Sequence, residues 1–282
     1  MIKYCRLATT CCLTCCMMQN IMPELPEVHT FQRYFDKTSL RQPIETVAVH
    51  DAKIIRNISG EAFAERLRGR SFTGSYRQGK YLFGDLDNGH AVLLHFGMTG
   101  DIKYYNDDAD RPKYERFAIH FDNGFRLGFD DPRKFAKIRY LENRNAYIRE
   151  IGLGEDALRI TETAFLERTE GKRGSIKSFL LQQRNLAGVG NLYADEICFQ
   201  ARVHPASGTG SIPIELRRLI FHKMQEILHF AVEQEAYYKD YPDDWLWKWR
   251  MPNATAPDGS PAKNAKIGGR TTWFFPAWQV LY

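Results

Sequence analysis

Residues 22–28, MPELPEV, place two prolines and two carboxylates within seven positions. If translation starts at Met22 and the methionine is trimmed, Pro23 carries a free secondary amine. An α-amino group titrates at about pH 8, so an appreciable share is unprotonated and nucleophilic at neutral pH, where a lysine would need a large shift. Glu24 and Glu27 stand three apart, a spacing that puts both carboxylates in one helical turn beside that amine. An amine and an acid sharing a site can carry out imine chemistry: the amine attacks an electrophilic carbon and the acid moves protons. The plainer reading is a proline-punctuated helix start with two solvated glutamates.

The elements that must hold these groups can be read outward from the motif. Proline is tolerated in a first helical turn, and Leu25, Val28, Phe31 and Phe35 follow at helical spacing, so a helix begins here. Beyond it the period changes to two. Residues 46–55, 71–76, 81–86, 91–96, 117–121 and 125–129 read as strands, with Asp87-Asn88-Gly89 and Asp122-Asn123-Gly124 as hairpin turns. Residues 58–67 read as a short helix. The expected first domain, residues 22–150, is an antiparallel β-sandwich or barrel carrying the N-terminal helix. Ile151-Gly152-Leu153-Gly154-Glu155-Asp156 reads as a linker into helical segments over 175–184, 191–202 and 214–236. The class is therefore α+β.

Composition narrows the setting. A chain of 282 residues with 44% apolar side chains can build one large or two ordinary domains. The formal charge of +5 falls to +3 without Lys3 and Arg6, so global charge argues little for nucleic acid. Residues 126–149 do hold a local excess of basic side chains, itself consistent with a solvated face. Five of the six cysteines lie in the first sixteen residues and the sixth is Cys198, which leaves the body without a disulfide pair and suits a reducing, cytoplasmic compartment. Residues 1–21 are too short and polar to span a membrane. They have three readings: an upstream start assigned in error, a cleaved targeting peptide, or a metal-binding cysteine tail. The first fits the position of Met22 directly before Pro23.

Other residues have types that suit a nucleic-acid ligand. Lys80 follows Gly79 at a strand start and can reach a phosphate or sugar, or be an ordinary surface lysine. Met98 lies between Gly97 and Gly100 on a tight loop, and Arg133 and Phe135 lie on a second turn. Apolar wedges and a hydrogen-bonding cation are what a protein needs to fill a duplex from which a nucleotide has been extruded. Asn185–Gly190 is a tight connection between two helices, with Asn191 placed to cap the second or to donate to a phosphate.

Taken together, MPELPEV, Lys80, the Met98 loop, Arg133 with Phe135, and the string LAGVGNLYADEI resemble the formamidopyrimidine-DNA glycosylase and endonuclease VIII family over residues 22–282. The resemblance implies a bifunctional base-excision repair enzyme that excises oxidised bases and cleaves the abasic strand by β,δ-elimination. Its Schiff-base nucleophile would be Pro23, with Glu24 as proton carrier and Glu27 orienting the helix start. It implies DNA contacts through Lys80, Met98, Arg133, Phe135, Asn191 and Arg270, with Lys177 a weaker candidate. The second domain, 151–245, would be a helix-two-turn-helix, and 246–282 a β-hairpin finger. Most relatives end in a zinc finger; here the equivalent positions are Met251, Ala254, Phe275 and Trp278, none a zinc ligand, so a zincless finger cored by Trp273, Phe274, Phe275 and Trp278 is expected. The chemistry requires no metal or diffusible cofactor. The expected partner is double-stranded DNA with an oxidised base, bound by a monomer in the cytoplasm, on the nucleoid if the cell is bacterial. If residues 1–21 stay attached, Pro23 is an ordinary amide and the chain would be a noncatalytic DNA-damage binding protein. The stretch after residue 235 looks shorter than the lesion-capping loop of the 8-oxoguanine enzymes, which leaves lesion preference open.

Overall fold

The computed structural model describes residues 23–256 and 259–282; the stretch ahead of Pro23, with its five cysteines, lies outside them. Helix α1 (Leu25–Ser39) comes first, then strand β1 (Ile44–Val49), helix α2 (Gly60–Leu67) and strands β2 (Phe72–Gln78), β3 (Tyr81–Leu86), β4 (Ala91–His95), β5 (Asp101–Tyr105), β6 (Glu115–Phe121), β7 (Arg126–Asp130) and β8 (Lys137–Leu141). Helices α3 (Arg144–Glu150), α4 (Glu162–Thr169), α5 (Ile176–Leu181), α6 (Asn191–Gln200) and α7 (Ile214–Glu233) follow, and strands β9 (Lys263–Ile267) and β10 (Arg270–Phe274) close the chain. These residues form two compact units. One comprises Pro23, Phe35–Tyr76 and Leu82–Glu142; the other comprises Glu24–Tyr34, Arg77–Tyr81 and the described part of Asn143–Tyr282.

The first unit is built on two four-stranded sheets, ordered β1-β6-β7-β5 and β2-β3-β4-β8. Phe72, Val92 and Leu94 of one and Phe117, Leu127 and Phe129 of the other line a common interior with Phe35. This is the expected sandwich, and the two Asn-Gly turns join antiparallel pairs as expected. Two strands were not anticipated. β5 follows the Met98 loop, and β8 lies inside the basic run, where Ile138 and Tyr140 turn inward at 0% and 4% exposure. The first expected strand also ends early, because Asp51 caps a 3-10 turn over Ala52–Ile54 by accepting the Lys53 amide at 3.1 Å. Of the basic run itself, Arg126 pairs with Asp108 and Lys134 with Asp51.

The second unit has one main core in which Leu25 joins residues of α4–α7. Side-chain caps start three of its helices: Asn143 for α3, Thr161 for α4 and Ser175 for α5 each accept the amide three residues on. Helix α7 buries Ile220, Met224, Ile227, Leu228 and Ala231 along one stripe. The terminal hairpin pairs Arg270 with Ile267 across Gly268-Gly269. Behind it lies a satellite cluster of Phe199, Leu246, Ala256 and Phe275, with Trp249 and Trp278 packed on it. Trp278 stacks on Phe199 at 6.0 Å, while Phe275 is fully buried 5.8 Å from the same ring. The other two expected core aromatics do different work: Phe274 packs edge-on against His204 at 4.4 Å, and the Trp273 amide donates to Asp195 at 3.1 Å. Among the described residues no helix is long and apolar enough to cross a membrane.

Phe199 contacts every large ring of the satellite cluster, so Phe199→Ala removes its shared surface. We expect a loss of roughly 3–5 kcal/mol in denaturant unfolding, with the change confined in hydrogen exchange to the hairpin and α6. An unchanged midpoint would show that the cluster does not hold the hairpin.

Candidate active site

The two glutamates of the opening motif are not solvated. Glu24 is 2% and Glu27 6% exposed. Glu24 precedes the first residue of α1, and Glu27 reaches back so that its Oε2 accepts the Glu24 amide at 2.8 Å, half of a capping box. Glu27 Oε1 accepts two phenol hydroxyls, Tyr193 at 3.0 Å and Tyr238 at 2.5 Å. Tyr193 is in turn hydrogen-bonded to Tyr241 at 2.7 Å.

Glu24 has fewer partners. Its Oε1 accepts the Leu192 amide at 2.9 Å, and its Oε2 is buried without a hydrogen-bond partner. That amide belongs to the first turn of α6, which no side chain of its own caps, so the carboxylate of Glu24 serves as the cap from a distant part of the chain. Burial pushes the Glu24 carboxyl up to about 7; Lys80 opposes the shift, Glu27 adds to it, and the Leu192 and Gly190 amides oppose it. Burial also raises Glu27, against the hydrogen bonds of Tyr238, the backbone and Tyr193. Lys80 is half-buried. Burial lowers its ammonium, the two glutamates counter that, and Arg270 reinforces it.

The glycines of LAGVGNLY have a packing role here. A Cβ on Gly190 would fall on the Glu24 carboxyl carbon, and one on Gly188, whose φ is +121°, would strike the Leu25 side chain. Each glycine is thus required by one residue of the opening motif. The Leu25 amide also donates to Gly188 O at 3.1 Å. Gly190, not Asn191, is the N-cap of α6; Asn191 donates through Nδ2 to Thr271 O at 3.1 Å, and its Oδ1 is buried without a partner. Arg270, exposed at the start of β10, is the residue before that carbonyl.

In the first unit the Met98 loop and the Arg133–Phe135 turn come together. A Cβ on Gly97 would strike the Phe135 backbone, and the Arg133 guanidinium lies 4.9 Å over the Phe135 ring. Met98 is half-buried, whereas Arg133 is exposed and Phe135 is 48% exposed. Asp131, fully buried, ties the two segments: Oδ1 accepts Thr99 Oγ1 at 2.6 Å and the Arg133 amide at 3.2 Å, and Oδ2 accepts the Ala136 amide at 2.9 Å.

Comparison with known proteins points one way. The family description for the formamidopyrimidine-DNA glycosylase N-terminal domain matches residues 22–138, and that for the formamidopyrimidine-DNA glycosylase H2TH domain matches residues 153–240. A formamidopyrimidine-DNA glycosylase of Arabidopsis thaliana is 34% identical over 93% of this chain and 72% of its own length. One of Synechocystis is 30% identical over 92% of this chain and 98% of its own. The chain belongs to the formamidopyrimidine-DNA glycosylase family. Its fold superposes on the Lactococcus lactis formamidopyrimidine-DNA glycosylase non-covalently bound to DNA containing an abasic site, with a TM-score of 0.81, 26% identity, and coverage of 91% of this chain and 99% of that one. A complex of the same enzyme with tetrahydrofuran-containing DNA and an inhibitor gives 0.82, 25%, 92% and 100%.

Within this glycosylase frame one expected contact is corrected. Lys177 is fully buried: its Nζ pairs with Asp195 Oδ1 and donates to Thr272 Oγ1, both at 2.6 Å, so it holds the hairpin and does not face a phosphate. Asp195 also pairs with Arg250, and neither it nor Tyr193, Tyr238 or Asp131 was singled out in the sequence. Asp156 was missed too, inside the stretch taken for a linker. It binds Arg77 through both carboxylate oxygens, at 2.5 and 3.1 Å, and accepts the Gly79 amide at 2.7 Å, which fixes the turn carrying Lys80. A charged residue inside a glycine-rich stretch was the available signal.

Two outcomes test this geometry. Gly190→Ala should abolish base excision in a protein that still folds by circular dichroism, because the new methyl displaces the Glu24 carboxyl. Glu24 also links stability to pH. Its folded value of about 7 lies above the ordinary 4.5, so the folded state holds the proton more tightly, and the stability this supplies is present below about pH 4.5 and lost as pH rises through 7. The loss amounts to about 3 kcal/mol at most. Glu24→Gln should flatten the stability difference between pH 5 and pH 8 in the direction of a more stable variant at pH 8; an unaltered difference would mean that Glu24 is not neutralised by burial.

Proposed function

We propose that this chain is a bifunctional DNA glycosylase and abasic-site lyase of base-excision repair, removing oxidised bases from duplex DNA through a Schiff base on Pro23. The observation that carries the mechanism is the Glu24 carboxyl: next in the chain to Pro23, buried, held by the Leu192 amide, poised near neutrality, and with one oxygen unpartnered. With the damaged nucleotide extruded, the neutral Pro23 amine attacks the sugar C1′ and the C1′–N bond to the base breaks, the base leaving with the amine proton. Glu24 then gives its proton to the ring oxygen as the C1′–O4′ bond opens and the nitrogen lone pair forms the C1′=N bond. A secondary amine yields a cationic iminium, which acidifies the C2′ proton. Removal of that proton expels the 3′ phosphate by β-elimination, and a second elimination expels the 5′ phosphate. Glu27, with both oxygens hydrogen-bonded, orients the helix start.

Met98, Arg133 and Phe135 are proposed to fill the gap left by the extruded nucleotide. Lys80, Asn191 and Arg270 are proposed to hold the backbone around the lesion. On this reading residues 22–150 carry the catalytic domain, 151–245 the DNA-gripping helices and 246–282 the hairpin finger, and a monomer works in the cytoplasm, on the nucleoid in a bacterial cell. Pro23 must be N-terminal for the chemistry, a requirement supported by a family match that begins at residue 22.

Borohydride trapping on a duplex with one oxidised base tests the mechanism, using protein expressed from Met22 and from Met1. A covalent adduct is expected from the Met22 form, and none from Met1 protein whose intact mass retains the extension. Glu24→Gln in the Met22 form should abolish excision while leaving duplex binding within about two-fold. Binding without an adduct from either form would favour a noncatalytic damage-binding protein.

A further inference from the structure

The segment that follows α7 is packed inward. Tyr241 and Trp245 are buried in the main core at 3% and 8% exposure, Tyr238 and Trp247 pack on that core, and Leu246 is fully buried in the satellite cluster. The Tyr238 ring lies 5.0 Å from Tyr241 and 5.4 Å from Trp247. Its hydroxyl is directed at Glu27 Oε1.

The hydrogens around Glu27 can be assigned by counting. An ionised carboxylate donates nothing, so Tyr193 and Tyr238 must both donate to Oε1. Each phenol has one hydrogen. Tyr193 has spent its own on Glu27, so the hydrogen in the 2.7 Å contact between Tyr193 and Tyr241 comes from Tyr241. The result is a directed chain, Tyr241 to Tyr193 to Glu27, joined by Tyr238 at the same oxygen. The opposite oxygen, Oε2, accepts the Glu24 amide, which is the peptide link to Pro23. The charged and titratable groups facing Glu27 from the elements around it are Glu24, Lys80 and these three tyrosines.

We propose that Tyr238, supported by the Tyr241–Tyr193 pair, is a positioning residue for base excision, clamping Glu27 so that its far oxygen fixes the Pro23–Glu24 peptide. The segment after α7 thereby acts on the reacting amine from behind Glu27. A Tyr238→Phe change removes one donor and only the volume of its oxygen, leaving the ring packing in place. Glu27 Oε1 then keeps a single phenol, and the carboxylate is free to rotate away from the Glu24 amide. This proposal rests on Pro23 and Glu24 being the reacting pair.

The test is a double-mutant cycle in the Met22 form, with single-turnover excision and binding to abasic-analogue duplex measured side by side. Tyr238→Phe is expected to slow excision roughly ten-fold or more, the worth of a hydrogen bond to a charged group, while binding stays within about two-fold and the thermal midpoint within a few degrees. Tyr241→Phe should slow it less, because it acts through Tyr193. In a Glu27→Gln background the further cost of Tyr238→Phe should vanish, since the charge it acts through is gone. Equal costs in both backgrounds, or a loss of binding matching the loss of rate, would overturn the proposal. Wild-type borohydride trapping is the control that separates the two readings. No wild-type adduct removes the Pro23 mechanism itself, whereas a wild-type adduct with Tyr238→Phe at full rate removes only the clamp.

Discussion

The second unit is arranged around a cost that it must offset locally: two carboxylates one helical turn apart, both out of solvent. Burial raises the pKa of each, and the charge of Glu27 raises that of Glu24 further, so the pair persists only with compensating donors. Those donors come from far along the chain. The first turn of α6 supplies the Leu192 amide and the positive end of a helix, the phenols of Tyr193 and Tyr238 supply two more, and Lys80 supplies the countercharge. Each donor imposes its own condition. The Leu192 amide can reach Glu24 only if Gly190 has no side chain, and Lys80 is held only because Arg77 and Asp156 fix its turn.

Unequal hydrogen bonding then gives two chemically similar residues different work. Glu27 accepts three donors across both oxygens, whereas Glu24 is held at Oε1 by the Leu192 amide and its Oε2 has no partner. Hydrogen bonds to a carboxylate favour its ionised form, so the proton goes to the less satisfied member of the pair. Glu24, with an unpartnered oxygen and a value of about 7, can give up and recover a proton near neutrality. A solvated pair would titrate together near 4.5 and could not divide in this way. The division depends on burial, which is why a reading of PELPE as an exposed helix start and a reading of it as a reaction centre differ in every consequence.

Much of this was legible before any coordinates, for local reasons. The helix after Pro23, the Asn-Gly hairpins and the terminal β-hairpin follow from spacing and turn chemistry within a few residues. What was not legible depended on partners distant in sequence. Strand β8 was hidden because Lys137 and Arg139 made its stretch look like a charged surface, although Ile138 and Tyr140 alternate inward. Lys177 looked like a phosphate ligand because its buried partner, Asp195, lies eighteen residues on, within a helix. The connection before Asn191 read as a tight turn between helices, but what its glycines make room for are Leu25 and Glu24, far away in sequence. Tyr238 and Asp131 carried no signal beyond composition, because a phenol or carboxylate gains its role from the atoms opposite it.

The hairpin shows how the work of a metal can be divided among side chains. A tetrahedral zinc both holds a finger together and fixes its orientation, since its bonds are strong and directional. At Met251, Ala254, Phe275 and Trp278 this chain has no ligating atoms suited to zinc, and cohesion comes from Phe275 and Trp278 packed on Phe199. Apolar packing is nearly non-directional, so rings alone would leave the hairpin's register loosely defined. Direction is supplied by the buried charges. Lys177, Asp195 and Arg250 meet beside β10, where Asp195 accepts the Trp273 amide and Lys177 donates to the Thr272 hydroxyl. Burying such a cluster adds little net stability, but misregistering the hairpin would strand at least one of its charges, which makes the wrong arrangements costly. Asn191 extends the same fixation to Thr271, the residue after Arg270. The placement of the hairpin arginine is thus set by polar contacts to α5 and α6, with the aromatic cluster supplying cohesion behind them.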